Sequence, residues 1–141
     1  MMKNKIGILL IFVSFMLIFS PLVYLPKNIF VVLTIQSYGP IFIFAIGMTL
    51  IFSNKSIKNN ILPIFSLNLG YSLLSDFFSL YMQPTLNNLA KHSSNANLSV
   101  SVETPTIPGI IIMFISDFTI TIAITLAFIY ITNKFVMNRI E

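Results

Sequence analysis

The sequence predicts an all-α integral membrane protein, a bundle of four transmembrane helices with both termini in the cytoplasm. Three observations lead to this fold class. The 141 residues are 56% hydrophobic and only 9% charged, whereas a soluble domain carries about 25% charged residues. Four apolar segments have the ~20 residues that a helix needs to cross a ~30 Å hydrocarbon core. The basic residues fall mainly on one side of the resulting topology.

The first predicted span covers 6–25 and follows two lysines, Lys3 and Lys5. A basic start before an apolar run is also typical of a secretory signal peptide. The exit from this span, FSPLVYLPK, has no small-x-small cleavage site, and the next apolar segment begins after three residues. We therefore expect an uncleaved membrane anchor.

The second predicted span covers 29–53 and the third covers 61–82, and the basic segment NKSIKNN joins them. Both contain prolines, and the sharpest break is SYGP, where Gly39 precedes Pro40. An internal proline frees a backbone carbonyl and can kink its helix. We interpret this break as a kink that a neighbouring helix fills, in preference to a substrate site.

A polar outer loop, 83–107, separates the third span from the fourth, which covers 108–132. The loop is rich in Ser, Asn, Thr and Pro and contains one alternating piece, NLSVSVE. Alternation places its apolar residues on one face and predicts a short strand or hairpin arm. These apolar residues are Leu98, Val100 and Val102.

The distribution of basic residues predicts the orientation. With the N-terminus inside, six fall in inner segments and two in outer ones, and lysine and arginine favour the cytoplasmic side. The inner residues are Lys3, Lys5, Lys55, Lys58, Lys134 and Arg139, and the outer residues are Lys27 and Lys91. We expect one membrane domain, 1–141, that crosses a bacterial inner (plasma) membrane several times.

Composition excludes several functions. The chain has no cysteine and one histidine, His92, which lies in a polar stretch. A Ser/His/Asp set, a metal-ligand cluster and a phosphate loop are all missing from the sequence, so we expect no enzyme activity, cofactor or metal site. The basic residues are scattered and form no nucleic-acid-binding patch.

Two of the four acidic residues lie inside apolar runs, each within Ser-Asp-Phe: Asp76 in SLLSDFFSLY and Asp117 in FISDFTITI. Residues four apart share a helix face, so each of these spans carries a polar stripe. The stripes are Asn68, Ser72 and Asp76 on the third span, and Asp117, Thr121 and Thr125 on the fourth. Antiparallel pairing brings Asp76 near Asp117, Ser72 near Thr121, and Asn68 near Thr125. Gln36 on the second span reaches a similar depth.

A packing role, in which polar side chains hydrogen-bond one helix to another, accounts for the serine, threonine and asparagine residues. Such hydrogen bonds contribute ~0.6 kcal/mol on average. An ionised aspartate at a helix centre costs about 2.5–3.5 kcal/mol on insertion scales and marks a functional site by default. The predicted spans contain no basic residue within their apolar bodies. Hence one carboxyl is protonated, water reaches the cluster, or another protein supplies a cation. The candidate partner-binding residues are Asp76, Asp117, Gln36 and Asn68.

One longer stretch carries a resemblance to a known family. IQSYGPIFIFAIGMTLIFSNKSIKNN leads through polar and aromatic residues to Pro40, continues as an apolar run, and ends in Lys55, Lys58 and asparagines. A third span, a polar outer loop and a final span follow. This layout, over roughly 29–136, resembles the immunity proteins that protect a bacterium from its own pore-forming colicin, particularly the colicin A type. The resemblance implies four spans and a partner made of hydrophobic toxin helices.

The function expected from the sequence is therefore that of a small membrane protein that binds a membrane-inserted partner. Two alternatives stay open: a subunit or assembly factor of a larger membrane complex, and a small proton or cation transporter. Paired acidic residues at mid-depth in the membrane suit a proton or cation transporter. However, the sequence has no second polar cluster on the inner side that would continue a path across the membrane. Neither the oligomeric state nor the identity of the partner follows from the sequence.

Overall fold

Four helices make up nearly all of the described chain. The computed structural model describes residues 2–20, 29–53, 55–93 and 105–137, with the backbone alone for 29–37, 89–93 and 136–137. These ranges contain no strand, which confirms the all-α fold class. The helices are α1 (Met2–Ile18), α2 (Ile29–Phe52), α3 (Ile57–Ser93) and α4 (Ile107–Met137).

Among the described residues, two helices are long and apolar enough to cross a bilayer. They are α3 over Ile57–Asn88 and α4 over Ile107–Phe135. Only 33% of the α3 window and 11% of the α4 window are buried inside the protein, whereas the core helix of a soluble domain is mostly buried. The part of α2 with described side chains, Tyr38–Phe52, is apolar but shorter. These two helices indicate a membrane protein.

Helix α3 is longer than the sequence suggested. It continues to Ser93, so the prediction that a polar loop starts at residue 83 is wrong. The polar sequence after Met82 predicts the end of the helix, but Leu86 still packs against the hydrophobic core. A helix that continues into a polar segment still pairs its backbone N–H and C=O groups within the helix, so a change to polar sequence does not by itself end it. The strand expected in NLSVSVE lies outside the described residues.

Side-chain contacts define an up-down-up-down bundle. Helices α1 and α2 are antiparallel, because Gly7 adjoins Ile51 while Ile11 adjoins Gly47. Helices α1 and α3 run in the same direction, since two ring contacts advance along both. These are Phe15 with Tyr71, at a centroid distance of 5.6 Å, and Phe19 with Phe78, at 5.0 Å. Helix α4 runs antiparallel to α3, as the contacts of the site show below.

The topology gathers the lysines at one end of the bundle, which we call the basic end. This end contains the start of α1, the α2–α3 connection and the end of α4. Every lysine whose side chain is described lies there and is exposed: Lys3, Lys5, Lys55, Lys58 and Lys134. The bundle therefore has one charged end, whereas the two aspartates lie in the other half of α3 and α4.

Close backbone contact joins α1 to α2. A Cβ atom built on Gly47 would lie 2.9 Å from the carbonyl oxygen of Gly7, and one built on Gly7 would lie 2.8 Å from that of Gly47. Real Cβ atoms do not approach backbone oxygens so closely, so both positions require glycine. Small residues that let helices approach are typical of helix packing in membranes.

Candidate functional site

The polar stripes of α3 and α4 face each other. Thr125 Oγ1 donates a hydrogen bond to Asn68 Oδ1 across the interface, at 3.1 Å. Farther from the basic end, Asp76 and Asp117 lie close enough for their carboxyl groups to interact electrostatically. The two pairs advance in opposite directions along their helices, which makes α3 and α4 antiparallel. The predicted pairing of Asn68 with Thr125 and of Asp76 with Asp117 is thus confirmed.

Both the nitrogen and the oxygen of the Asn68 side-chain amide form hydrogen bonds within the bundle. Its Nδ2 donates to the backbone oxygen of Ile64 at 2.7 Å, while its Oδ1 accepts the bond from Thr125. Asn68 is fully buried. Hydrogen bonds of this kind explain a polar residue in a membrane helix without any external partner.

Three buried polar atoms on α3 lack such partners. Ser72 is 1% exposed and Asp76 is 5% exposed. No described residue makes a hydrogen bond with Ser72 Oγ or with Asp76 Oδ1 and Oδ2. Thr121, expected beside Ser72, donates its hydroxyl instead to the backbone oxygen of Asp117 at 2.7 Å. A buried polar group left unsatisfied costs about 1–3 kcal/mol, and more when it is charged.

The neighbour of Asp76 is another carboxyl and not a cation. Ionised carboxylates accept hydrogen bonds and donate none, so Asp76 and Asp117 cannot satisfy each other as two anions. Either they share one proton or something else supplies the positive charge. No ion pair reaches Asp76 or Asp117 from the described side chains, because the described lysines all lie at the basic end.

A cavity of about 280 Å³, lined by both polar and apolar side chains, lies beside Asp117. Helices α2, α3 and α4 contribute its oxygen-bearing side chains, which are Tyr38, Tyr71, Ser72, Ser75, Ser79, Asp117 and Thr121. Met82 and Leu86, from the last turns of α3, also line it. Ser79 is exposed. The lining residues lie in the half of the bundle away from the basic end, so the cavity occupies that half. Its volume leaves room for several ordered waters.

An apolar groove of about 630 Å³ runs along the other side of the α3–α4 contact. Gly70, Leu73 and Phe77 line it from α3, and Ile111 and Phe114 line it from α4. Leu73 is 53% exposed and Phe77 is 72% exposed, so the groove lies on the outer surface of the bundle. Asp76 also lines it and is its one charged residue among those described.

Apolar packing closes the bundle toward the basic end. Met48 of α2, Ile64 of α3 and Ile129 of α4 belong to one core cluster, and none is more than 1% exposed. They follow the Asn68–Thr125 hydrogen bond in the direction of the basic end. In the described part of the chain, this layer of apolar side chains lies between the cavity and the basic end.

The fourth candidate residue, Gln36, has its backbone in α2, but its side chain lies outside the described part of the structure. Sequence reasoning missed several hydroxyl groups of the cavity: Tyr38, Tyr71, Ser75 and Ser79. Ser72, Ser75 and Ser79 recur at intervals of three and four. That spacing marks one helix face and could have revealed a wider polar surface on α3.

Comparison with protein-family models, with curated proteins and with solved structures finds no match for this chain.

Proposed function

We propose that this chain is a small polytopic protein of a bacterial inner membrane that acts by binding a membrane-inserted partner. Its carboxyl pair accepts a basic side chain of that partner. The specific role that fits best is immunity against a pore-forming bacteriocin. The observation that carries the proposal is the buried carboxyl of Asp76, which has no hydrogen-bond partner among the described residues and lies between an apolar surface groove and the bundle interior.

The groove has the chemistry that an apolar helix needs. Leucine, isoleucine and phenylalanine side chains line it, and Gly70 leaves the surface of α3 open because a Cβ there would meet nothing within 4 Å. An amphipathic or apolar helix docks into such a groove through its side chains. Within a bilayer, close packing and polar contacts stabilise the complex, since lipid is as apolar as the partner.

Asp76 makes this docking selective. An apolar helix without a cation leaves the carboxyl pair unsatisfied, whereas a lysine or arginine at the matching depth supplies donors and charge. Desolvated charge pairs of this kind contribute specificity more than affinity. The groove therefore favours hydrophobic helices that carry one basic residue near the level of Asp76.

The charge distribution supports a four-span topology with both termini in the cytoplasm. Five exposed lysines lie at the basic end, and lysine favours the cytoplasmic side. The carboxyl pair, the cavity and the groove then lie in the outer half of the membrane. A toxin that inserts hydrophobic helices from outside reaches that half first.

The same site suits a subunit or assembly factor of a larger complex, in which a permanent partner supplies the cation. Transport receives less support, because apolar core residues separate the cavity from the basic end. Expression of the chain in cells exposed to a panel of pore-forming bacteriocins tests the immunity role. Protection from one toxin that Asp76→Asn abolishes is the expected result. Lack of protection from every toxin, together with stable co-purification of a resident membrane protein, favours the subunit role.

A further inference from the structure

We propose that the cavity beside Asp117 binds a small organic monocation, a primary ammonium group on an apolar body. Two independent observations point to a ligand here. The first is the lining itself, in which the carboxyl group of Asp117 lies among aromatic, aliphatic and hydroxyl side chains. The second is Ser72, which lines the cavity, is 1% exposed, and whose Oγ has no hydrogen-bond partner among the described residues.

The charge of the lining favours a ligand with a single positive charge. Among the described residues that line the cavity, Asp117 is the only acidic one and none is basic. Its neighbour Asp76 lines the groove instead, and a carboxyl pair that shares one proton carries one negative charge. Asp117 is half-buried, where water screens the attraction between opposite charges less than it does in bulk solution.

The hydroxyl groups of the lining favour a cation that donates hydrogen bonds. A primary ammonium carries three N–H donors and no acceptor. One of them can bond to Asp117 and another to Ser72 Oγ, which satisfies a buried hydroxyl that otherwise costs stability. Ser75 and Thr121 line the same cavity and offer further acceptor oxygens. A quaternary ammonium has no N–H group and would leave Ser72 without a partner.

The rest of the lining suits the apolar body of such a ligand. Tyr71 lies close enough to Asp117 to interact with it electrostatically, so an aromatic side chain, of the kind that attracts cations, is near the carboxyl group. The volume of about 280 Å³ is near the lower end of the ~300–1,000 Å³ of small-molecule pockets, which fits one ring or a short alkyl chain. The cavity reaches the bundle surface, because Tyr38 is 58% exposed and Ser79 is exposed. Its apolar lining residues are Ile18, Ile41, Phe78, Met82, Leu86 and Ile120.

A lysine of the membrane-inserted partner proposed above carries the same ammonium group, but it reaches the carboxyl pair through the groove. Two variants distinguish the two routes. Gly70→Leu adds a side chain to the groove, where a Cβ on Gly70 meets nothing within 4 Å. Ser75→Leu adds one to the cavity. The cavity proposal needs no protein partner, so either proposal can fail without the other.

Equilibrium dialysis of labelled phenethylamine, which is protonated at neutral pH, against the full chain in lipid nanodiscs tests the proposal. Empty nanodiscs measure the partition of the amine into lipid. The expected result is saturable binding that unlabelled amine displaces at a concentration about tenfold lower than phenethyl alcohol does, because the neutral alcohol forms no charge-assisted hydrogen bond with Asp117.

Substitutions then locate the bound amine. Asp117→Asn keeps the size of the side chain and should abolish the preference for the amine over the alcohol. Ser72→Ala removes one acceptor and should weaken binding about threefold, whereas Ser66→Ala, on an exposed face of α3, is the matched control and should bind like the parent. Ser75→Leu should abolish binding and Gly70→Leu should not, with thermal unfolding of each ligand-free variant as the check on folding.

Three results overturn the proposal. They are the absence of saturable binding, equal displacement by the amine and the alcohol, and binding like that of the parent in Asp117→Asn. Loss of binding in Gly70→Leu but not in Ser75→Leu also overturns it, because the amine then occupies the groove.

Discussion

Asn68 and Thr125 join α3 to α4 by a buried hydrogen bond of 3.1 Å between side chains 57 positions apart in sequence. The bond fixes the antiparallel register of the two helices, whose polar stripes face each other. Its position also separates two kinds of polar residue. Asn68 is satisfied inside the bundle, whereas the next two members of the same stripe, Ser72 and Asp76, are buried without a hydrogen-bond partner among the described residues.

Thr125→Val tests the stabilising role of that bond. Valine keeps the shape of threonine but leaves Asn68 Oδ1 without its donor, so the protein should lose about 0.6–1.7 kcal/mol of unfolding free energy. Reversible unfolding in mixed micelles measures the loss. Thr119→Val is the control, because the exposed Thr119 bonds only to the backbone of its own helix. Equal effects of the two substitutions would show that the interhelical bond adds nothing.

Substitutions of Gly47 and Gly70 by alanine should have opposite effects. The Cβ of Gly47→Ala would press on the Gly7 carbonyl oxygen and should force α1 away from α2, lowering the unfolding midpoint. Gly70→Ala meets nothing within 4 Å and should stabilise α3, since alanine in a helix is about 1 kcal/mol more favourable than glycine. Thermal unfolding of both variants checks the signs. If Gly47→Ala matches the parent, the α1–α2 contact is looser than described.

Reporter fusions test the four-span topology. A phosphatase fusion, active only outside the cytoplasm, should be inactive after Lys58 and active near His92. The lysines at the basic end require this result if that end faces the cytoplasm. Activity of both fusions, or of neither, would place the two positions on one side and exclude the topology.

Crosslinking tests the face that α3 and α4 share. Cysteines at positions 72 and 121, which both line the cavity, should react with a short bifunctional thiol reagent to give a crosslinked product. The chain contains no native cysteine, so no background is expected. Cysteines at 66 and 119 lie on exposed faces and form the control pair. Preferential crosslinking of the control pair would place the stripes on the wrong faces.

Much of this architecture follows from the sequence. Apolar segments locate all four helices, and the four-residue spacing of Asn68, Ser72 and Asp76 predicts which face of α3 meets α4. Such patterns work because a membrane helix must bury its polar side chains and satisfy its own backbone. The extent of the helices is less predictable. Polarity after Met82 resembles a loop, and only the packing of Leu86 shows that α3 continues.

The features that the sequence did not reveal depend on contacts between residues that are far apart in the chain. Gly7 and Gly47 are isolated glycines in separate helices, with no paired motif in either, so their contact appears only when α1 lies against α2. The groove likewise arises between α3 and α4. Asp76 was predicted as a functional residue from its cost in an apolar helix. Its oxygens have no hydrogen-bond partner among the described residues, which depends on every neighbouring helix and appears only in the structure.

The carboxyl pair is the centre of the proposed recognition site, and replacement of both aspartates by asparagine tests it most directly. The double variant combines Asp76→Asn with Asp117→Asn, which preserve size and hydrogen bonding but remove the negative charge. The experiment measures membrane insertion and the unfolding midpoint of the variant. It also measures protection from the toxin or capture of the partner. Recognition of a basic side chain predicts normal insertion, unchanged or higher stability, and loss of protection or of the complex. Full activity of the double variant would contradict charge recognition and leave polar packing as the role of both residues.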